Sequence, residues 1–151
     1  MISTKSRDLL RLAQVREKAS LSRLKESQEA MNKEKQKLEE YQDDLEKKKL
    51  TGKQYLNDFL SEKTDLNYND TQRITKLRGF ISELDEMVVH MSNQVEIQMD
   101  VAQQASQKFE EDQKAYAEAK KRLEKITIFS EKIELKDRTQ KEILLVARDT
   151  I

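Results

Sequence analysis

The sequence predicts an all-α protein, a long antiparallel two-helix coiled-coil hairpin with a longer C-terminal helix and a short helix or turn region at its tip. Composition favours uninterrupted helix, because the 151 residues include no proline and only two glycines, and 38% are charged. From Ile74 onward, apolar residues also recur at alternating intervals of three and four positions, which is the spacing of a coiled-coil stripe. Too few apolar side chains remain for a compact core.

Residues 71–151 are predicted to form the second helix. Its first seven-residue column reads Ile74, Ile81, Val88, Val95, Ala102, Phe109, Tyr116, Leu123, Ser130, Asp137, Leu144 and Ile151. Its second column reads Leu77, Leu84, Met91, Gln98, Ala105, Asp112, Ala119, Ile126, Ile133, Gln140 and Ala147. Because most positions of both columns are apolar and the phase is unbroken, the pattern predicts a left-handed supercoil.

Residues 1–50 are predicted to form the first helix, with a thinner stripe. One column is mostly apolar: Leu10, Glu17, Leu24, Met31, Leu38 and Leu45. Its companion is mostly polar: Ala13, Ser20, Ser27, Glu34, Tyr41 and Lys48. Several apolar residues fall outside both columns: Leu9, Leu12, Val15 and Leu21.

Residues 51–70 are predicted to form the tip. Thr51 and Asn69 are each followed three positions later by glutamine, the spacing of a capping box that begins a helix. A short amphipathic helix is expected from the spacing of Tyr55, Leu56, Phe59 and Leu60. The stretch "DLNYND" at 65–70 is the expected reversal, because Asn and Asp side chains stabilise turns.

If the chain reverses near residue 66, the residue numbers of any two facing positions add up to about 132. Residues beyond about 131 then have no partner on the first helix. A reversal nearer residue 51 would lengthen this overhang. Its apolar residues, which indicate an interaction surface, are Ile133, Leu135, Ile143, Leu144, Leu145, Val146 and Ile151.

The bulk charge argues against a nucleic-acid partner, since 29 basic and 29 acidic residues cancel and aromatics are 5%. Charge is uneven locally: residues 1–25 are mainly basic and residues 83–112 mainly acidic, which we interpret first as solvated helix faces and second as docking patches. No segment has the apolar length of a signal peptide or a membrane span. We therefore expect a soluble cytoplasmic protein without direct membrane insertion, and the lack of cysteine suits a reducing compartment.

Catalytic chemistry is not expected. The single histidine, His90, has no cysteine or second histidine near it, so no metal site is predicted. No glycine-rich phosphate loop is present, and the carboxylates lie on open helix, so neither a cofactor nor acid–base catalysis is predicted. The sequence does not predict an enzyme.

Several segments together resemble a known family: "YQDDLEKKK", the linker with Gly52 and Tyr55, "GFISELDEMV", "NQVE" and "AYAEAKKRLEKITIFSEK". Their order and spacing are similar to the small central-stalk proteins of bacterial type III secretion and flagellar export, the YscO/FliJ family. Flagellar members tend to have Trp where this chain has Tyr116. The resemblance implies a stalk that enters the hexameric secretion ATPase and connects it to the export gate at the cytoplasmic face of the apparatus, with export chaperones as further partners.

The resemblance also implies an export-gate contact, formed by Phe80, Leu84 and Met87. Phe80 and Met87 precede the column residues by one position, so we expect them to be partly exposed. A contact with the ATPase ring is expected from the apolar overhang and the basic N-terminal turns, through Lys5, Arg7, Arg11, Ile133, Leu144 and Val146.

A stalk of this kind is expected to be a monomer when alone. The alternative is a structural coiled-coil scaffold or tether that dimerises through the second helix. The polar companion column of the first helix favours that alternative, because a weak partner leaves apolar stripe uncovered. The interrupted segment 51–70 favours the hairpin, because a rod-like dimer needs no reversal.

Overall fold

A computed structural model describes residues 2–61 and 70–149, and within them the protein consists of two α-helices without a strand. Helix α1 spans Ile2–Ser61 and helix α2 spans Asp70–Asp149. The helices have 60 and 80 residues respectively, so the predicted longer C-terminal helix is confirmed. They pack against each other, which confirms the all-α helical hairpin.

The contacts of the chain fall into two units. Unit 1 contains Met1–Glu29 and Gln107–Ile151. In this unit the Ser6 and Ser130 hydroxyls are hydrogen bonded at 2.8 Å, and Tyr116 donates to a Glu17 carboxylate oxygen at 3.3 Å. The partner on α2 moves backward along the chain as the residue on α1 moves forward, so the helices are antiparallel in unit 1.

Unit 2 contains Ala30–Ser106 and has the same antiparallel order. Gln98 of α2 contacts Glu34 of α1, and Phe80 of α2 packs on Tyr55 further along α1. The position numbers total 132 for the Gln98–Glu34 pair and 135 for the Phe80–Tyr55 pair. Both totals are close to the value expected for facing positions of the two helices.

The predicted columns form the contact surface between the helices, which is the seam of the hairpin. On α2, the column residues from Ile74 to Asp137 are all buried or half-buried. Ala13, Val95 and Ala102 are the buried apolar residues, and no large side chain is fully enclosed among the described residues. A pair of helices shields only one stripe of each, so most large side chains of the seam keep part of their surface in contact with water.

Polar residues in the seam have partners. The Gln98 amide, on the buried face, donates to the Glu34 carbonyl at 3.1 Å and to the Glu34 carboxylate at 2.6 Å. The buried Ser27 hydroxyl donates within its own helix, to the carbonyls of Arg23 and Leu24. Because a buried polar atom without a partner is costly, these bonds make the polar companion column compatible with packing.

The predicted end of the first helix at residue 50 is wrong. Helix α1 continues through Thr51 to Ser61, so the capping box assigned to Thr51 does not begin a new helix. The Thr51 hydroxyl instead donates to the Lys47 carbonyl one turn earlier. Gly52 is buried in the seam, and a Cβ there would clash with the Leu84 side chain. Close packing on Leu84 therefore explains why a glycine lies inside this helix.

The rest of the predicted tip falls partly in α1, up to Ser61, and partly on residues 62–69, which lie outside the described residues. Tyr55, Leu56, Phe59 and Leu60 are helical as predicted, though as part of α1. The turn assigned to 65–70 and the cap at Asn69 fall almost wholly on residues 62–69, outside the described part. Helix α2 begins at Asp70, one residue from the predicted start.

We expect the effect of Gly52→Ala to depend on whether residue 84 is leucine or alanine. In a protein that also carries Leu84→Ala, the methyl group added at position 52 has room, so it should stabilise the protein by about 0.8–1 kcal/mol through helix propensity. With Leu84 present, the methyl group meets the Leu84 side chain, so the gain should vanish or reverse. Urea unfolding of the four proteins of this cycle measures the coupling.

Gly79→Ala is the matched control, because a Cβ at this helical glycine would meet nothing within 4 Å. It should stabilise the protein similarly in both backgrounds. Equal gains from Gly52→Ala with and without Leu84 would show that this close packing does not constrain the helix pair.

Candidate interaction surfaces

The three residues expected to contact the export gate have different environments on α2. Leu84 is half-buried against Gly52, inside the seam. The Phe80 ring is half-buried and packs on Tyr55, with ring centroids 4.1 Å apart and planes inclined by 33°. Met87 is 52% exposed. Of the three, Met87 offers the most surface to a partner, while Phe80 and Leu84 also hold α1 and α2 together.

The residues of α2 that are expected to contact the ATPase differ in how much of each side chain is exposed. Ile133 is half-buried, close to the point where Ser6 of α1 meets Ser130. Leu144 and Val146 are 66% and 63% exposed. Ile133 therefore belongs partly to the paired region, and the predicted start of the overhang near residue 131 is corrected to a later position.

The overhang begins after Asp137, the last half-buried residue of α2. Every described residue from 138 to 149 is exposed, and none of them meets a residue of α1 through a hydrogen bond of its side chain. The overhang presents four consecutive large apolar residues, 143–146, which are Ile143, Leu144, Leu145 and Val146. A continuous exposed apolar run of this kind is typical of an interaction surface.

The basic residues of the expected ATPase contact lie in unit 1, like the overhang. Lys5, Arg7 and Arg11 are all exposed on the first turns of α1. Exposed cations of this kind orient an acidic partner more than they strengthen its binding, and their effect weakens with salt.

A groove that the sequence did not predict lies along one side of unit 1. Helix α1 contributes Leu9 and Leu12, and helix α2 contributes Ala115 and Ile126. The off-column positions of Leu9 and Leu12 are visible in the sequence, but the α2 residues beside them follow only from the register of the two helices.

The described residues contain no cluster of three side chains that could hold a metal ion. His90 is exposed, and its Nε2 lies 3.2 Å from the Gln94 amide nitrogen. Neither helix, over the part of it that the structure describes, has a stretch apolar and long enough to cross a membrane.

No family model matches the chain, and no curated protein or solved structure matches it either.

Phe80→Ala should lower the free energy of unfolding by about 1–3 kcal/mol, because it removes a half-buried ring and its contact with Tyr55. Met87→Ala should change it by less than about 0.5 kcal/mol, since Met87 is largely exposed. Urea unfolding of both variants tests the difference. A loss as small for Phe80 as for Met87 would show that the ring contact contributes nothing to stability.

Proposed function

We propose that this protein is the central stalk or adaptor of a bacterial type III secretion apparatus. In this role it couples the hexameric secretion ATPase to the export gate and contacts export chaperones, at the cytoplasmic face of the apparatus. The observation that carries the proposal is the overhang of α2, which presents an apolar run beyond the residues that α1 covers. A stalk needs such an exposed apolar segment in order to reach into a ring.

The family resemblance in the sequence supports the same role. It implies an antiparallel hairpin with a longer C-terminal helix, and the chain has both features. In the proposed arrangement, Leu144 and Val146 lose contact with water on entering the ring, and Lys5, Arg7 and Arg11 orient the stalk. The proposed gate contact is centred on Met87, with Phe80 and Leu84 holding that part of α2 against α1.

The alternative is a scaffold or tether that dimerises through α2. One observation favours it: in unit 2, α2 also exposes large apolar side chains, among them Val89, Ile97 and Met99. A second copy could cover them. Polar residues separate these three along the helix, whereas the overhang places four large apolar residues within about one turn and exposes all of them, so the stalk remains the better-supported function.

Leu144→Asp should abolish stimulation of the secretion ATPase by the purified protein, because it places a charge in the apolar run that would enter the ring. Ile97→Asp is the matched control, since Ile97 is 65% exposed and lies in unit 2. It should leave stimulation intact. The measurement is ATP hydrolysis by the ATPase with each variant added.

A chain ending at Asp137 gives a second form of the same test. It keeps the Ser6–Ser130 contact and the half-buried Ile133, so helicity by circular dichroism should persist. It should nevertheless fail to bind the ATPase. Full binding and stimulation by this shortened chain would remove the overhang from the function.

The mass in solution separates the two candidate functions. A monomeric stalk should give the mass of one chain, 17.8 kDa, by light scattering. A scaffold that dimerises through α2 should give twice that mass, and Ile97→Asp should then return it to one chain. A stable dimer of this kind would favour the alternative.

A further inference from the structure

The groove in unit 1 is formed by one face of each helix. On α1 the lining residues recur at helical spacing, as Leu9, Leu12, Arg16, Ala19 and Arg23. The α2 residues that line it are Ala115, Glu118, Ala119, Arg122 and Ile126. The groove has a volume of about 280 Å³, and it exists because small residues form its floor while larger ones form its walls.

The two leucines of the groove are not used to pair the helices of the hairpin. Leu9 and Leu12 are 50% and 46% exposed and lie outside the seam columns of α1. Ala13, at the floor, is 6% exposed and does belong to the seam. Two large leucines beside a recessed floor provide apolar surface that the fold itself leaves accessible to water.

The charged residues of the groove are mostly cationic. Arg16, Arg23 and Arg122 are exposed, and Glu118 is the one carboxylate among the lining residues. Among the described residues, no carboxylate forms an ion pair with any of the three guanidinium groups. An arginine presents a planar fork of donors that matches a carboxylate, so the groove is complementary to acidic side chains.

We propose that this groove docks an acidic amphipathic helix of a partner protein. Apolar residues of that helix, spaced by three and four positions, would pack on Leu9, Leu12 and the alanine floor. Its flanking carboxylates would pair with Arg16, Arg23 and Arg122. The result is a third helix lying alongside α1 and α2, which is a common mode of peptide recognition by helical grooves.

Three other occupants fit the groove less well. A nucleic acid would need aromatic side chains for stacking, and none lines the groove. A flat membrane surface cannot reach a floor recessed between two helices. A second copy offers the acidic stretch 83–112, but the column residues of that stretch, such as Leu84 and Val95, already pack against α1. Its exposed Ile97 and Met99 lie two positions apart and so point to opposite sides of the helix.

The test uses the intact chain and a fluorescent peptide of three heptads, with leucine at positions a and d and glutamate at positions e and g. Repulsion between glutamates keeps this probe from pairing with itself. Fluorescence anisotropy should show saturable binding that weakens as salt is added. The same peptide with lysine at e and g should not bind, and equal binding of both peptides would overturn the proposal.

Variants locate the binding site. Arg16→Glu combined with Arg23→Glu should weaken binding of the acidic peptide tenfold or more, which corresponds to about 1.4 kcal/mol or more. Lys53→Glu combined with Arg78→Glu is the matched control, because it changes the net charge equally through exposed residues of unit 2. Equal losses in the two double variants would show that the peptide responds to net charge alone and would overturn the proposal.

A second pair of variants blocks the groove without changing charge. Ala19→Trp fills it and should abolish peptide binding, whereas Ala117→Trp, at an exposed residue outside the groove, should not. Circular dichroism melts confirm that each variant keeps its helices. Retained binding in a folded Ala19→Trp variant would overturn the proposal.

A final measurement without peptide addresses the second copy. Sedimentation of the unmodified chain over a range of concentrations should show no association that depends on Arg16 and Arg23. Association that disappears in Arg16→Glu/Arg23→Glu would assign the groove to another copy of this chain and overturn the acidic partner helix. None of these measurements depends on the secretion ATPase, so the groove and the proposed stalk can fail separately.

Discussion

A pair of helices can shield only one stripe on each helix, and the rest of this structure depends on that constraint. Each helix must place its apolar residues on the single face that meets the other, which the seven-residue repeat of α2 does from Ile74 to Ile133. Everything outside that face stays in contact with water. The chain therefore has many charged residues and few enclosed ones, and its large exposed apolar side chains stand out as surfaces that require a separate explanation.

The polar pairs within the seam set the register of the helices. A shift by one heptad would separate Gln98 from Glu34 in unit 2 and leave the half-buried Glu34 carboxylate with only the Lys37 ammonium of its own helix, 3.9 Å away. The same shift in unit 1 would separate the buried hydroxyls of Ser6 and Ser130. Polar seam residues weaken a coiled coil compared with apolar ones, but they penalise the wrong alignment. The polar companion column of α1 thus makes one alignment preferable.

The sequence predicted the features that depend on periodicity alone. Both helices and the seam of α2 follow from regular spacing, which survives any local irregularity. The register depended instead on where the chain reverses, for which the sequence left two positions open. The end of α1 was predicted incorrectly because Thr51 and Gly52 are local helix-boundary signals. The contact between Gly52 and Leu84, which overrides them, joins residues distant in sequence. The groove was missed for the same reason, since its walls come from two helices whose alignment had to be known first.

The groove and the overhang are two apolar surfaces that unit 1 leaves accessible to water. Small residues such as Ala13, Ala19 and Ala119 line the groove and provide little side chain to fill the space beside the seam. The last turns of α2, after Asp137, are exposed and form the overhang. Larger apolar side chains in place of the alanines that line the groove would bury more surface and add to stability. Unit 1 therefore keeps apolar surface accessible where a hairpin optimised for stability alone would bury it, and this favours binding as the role of unit 1.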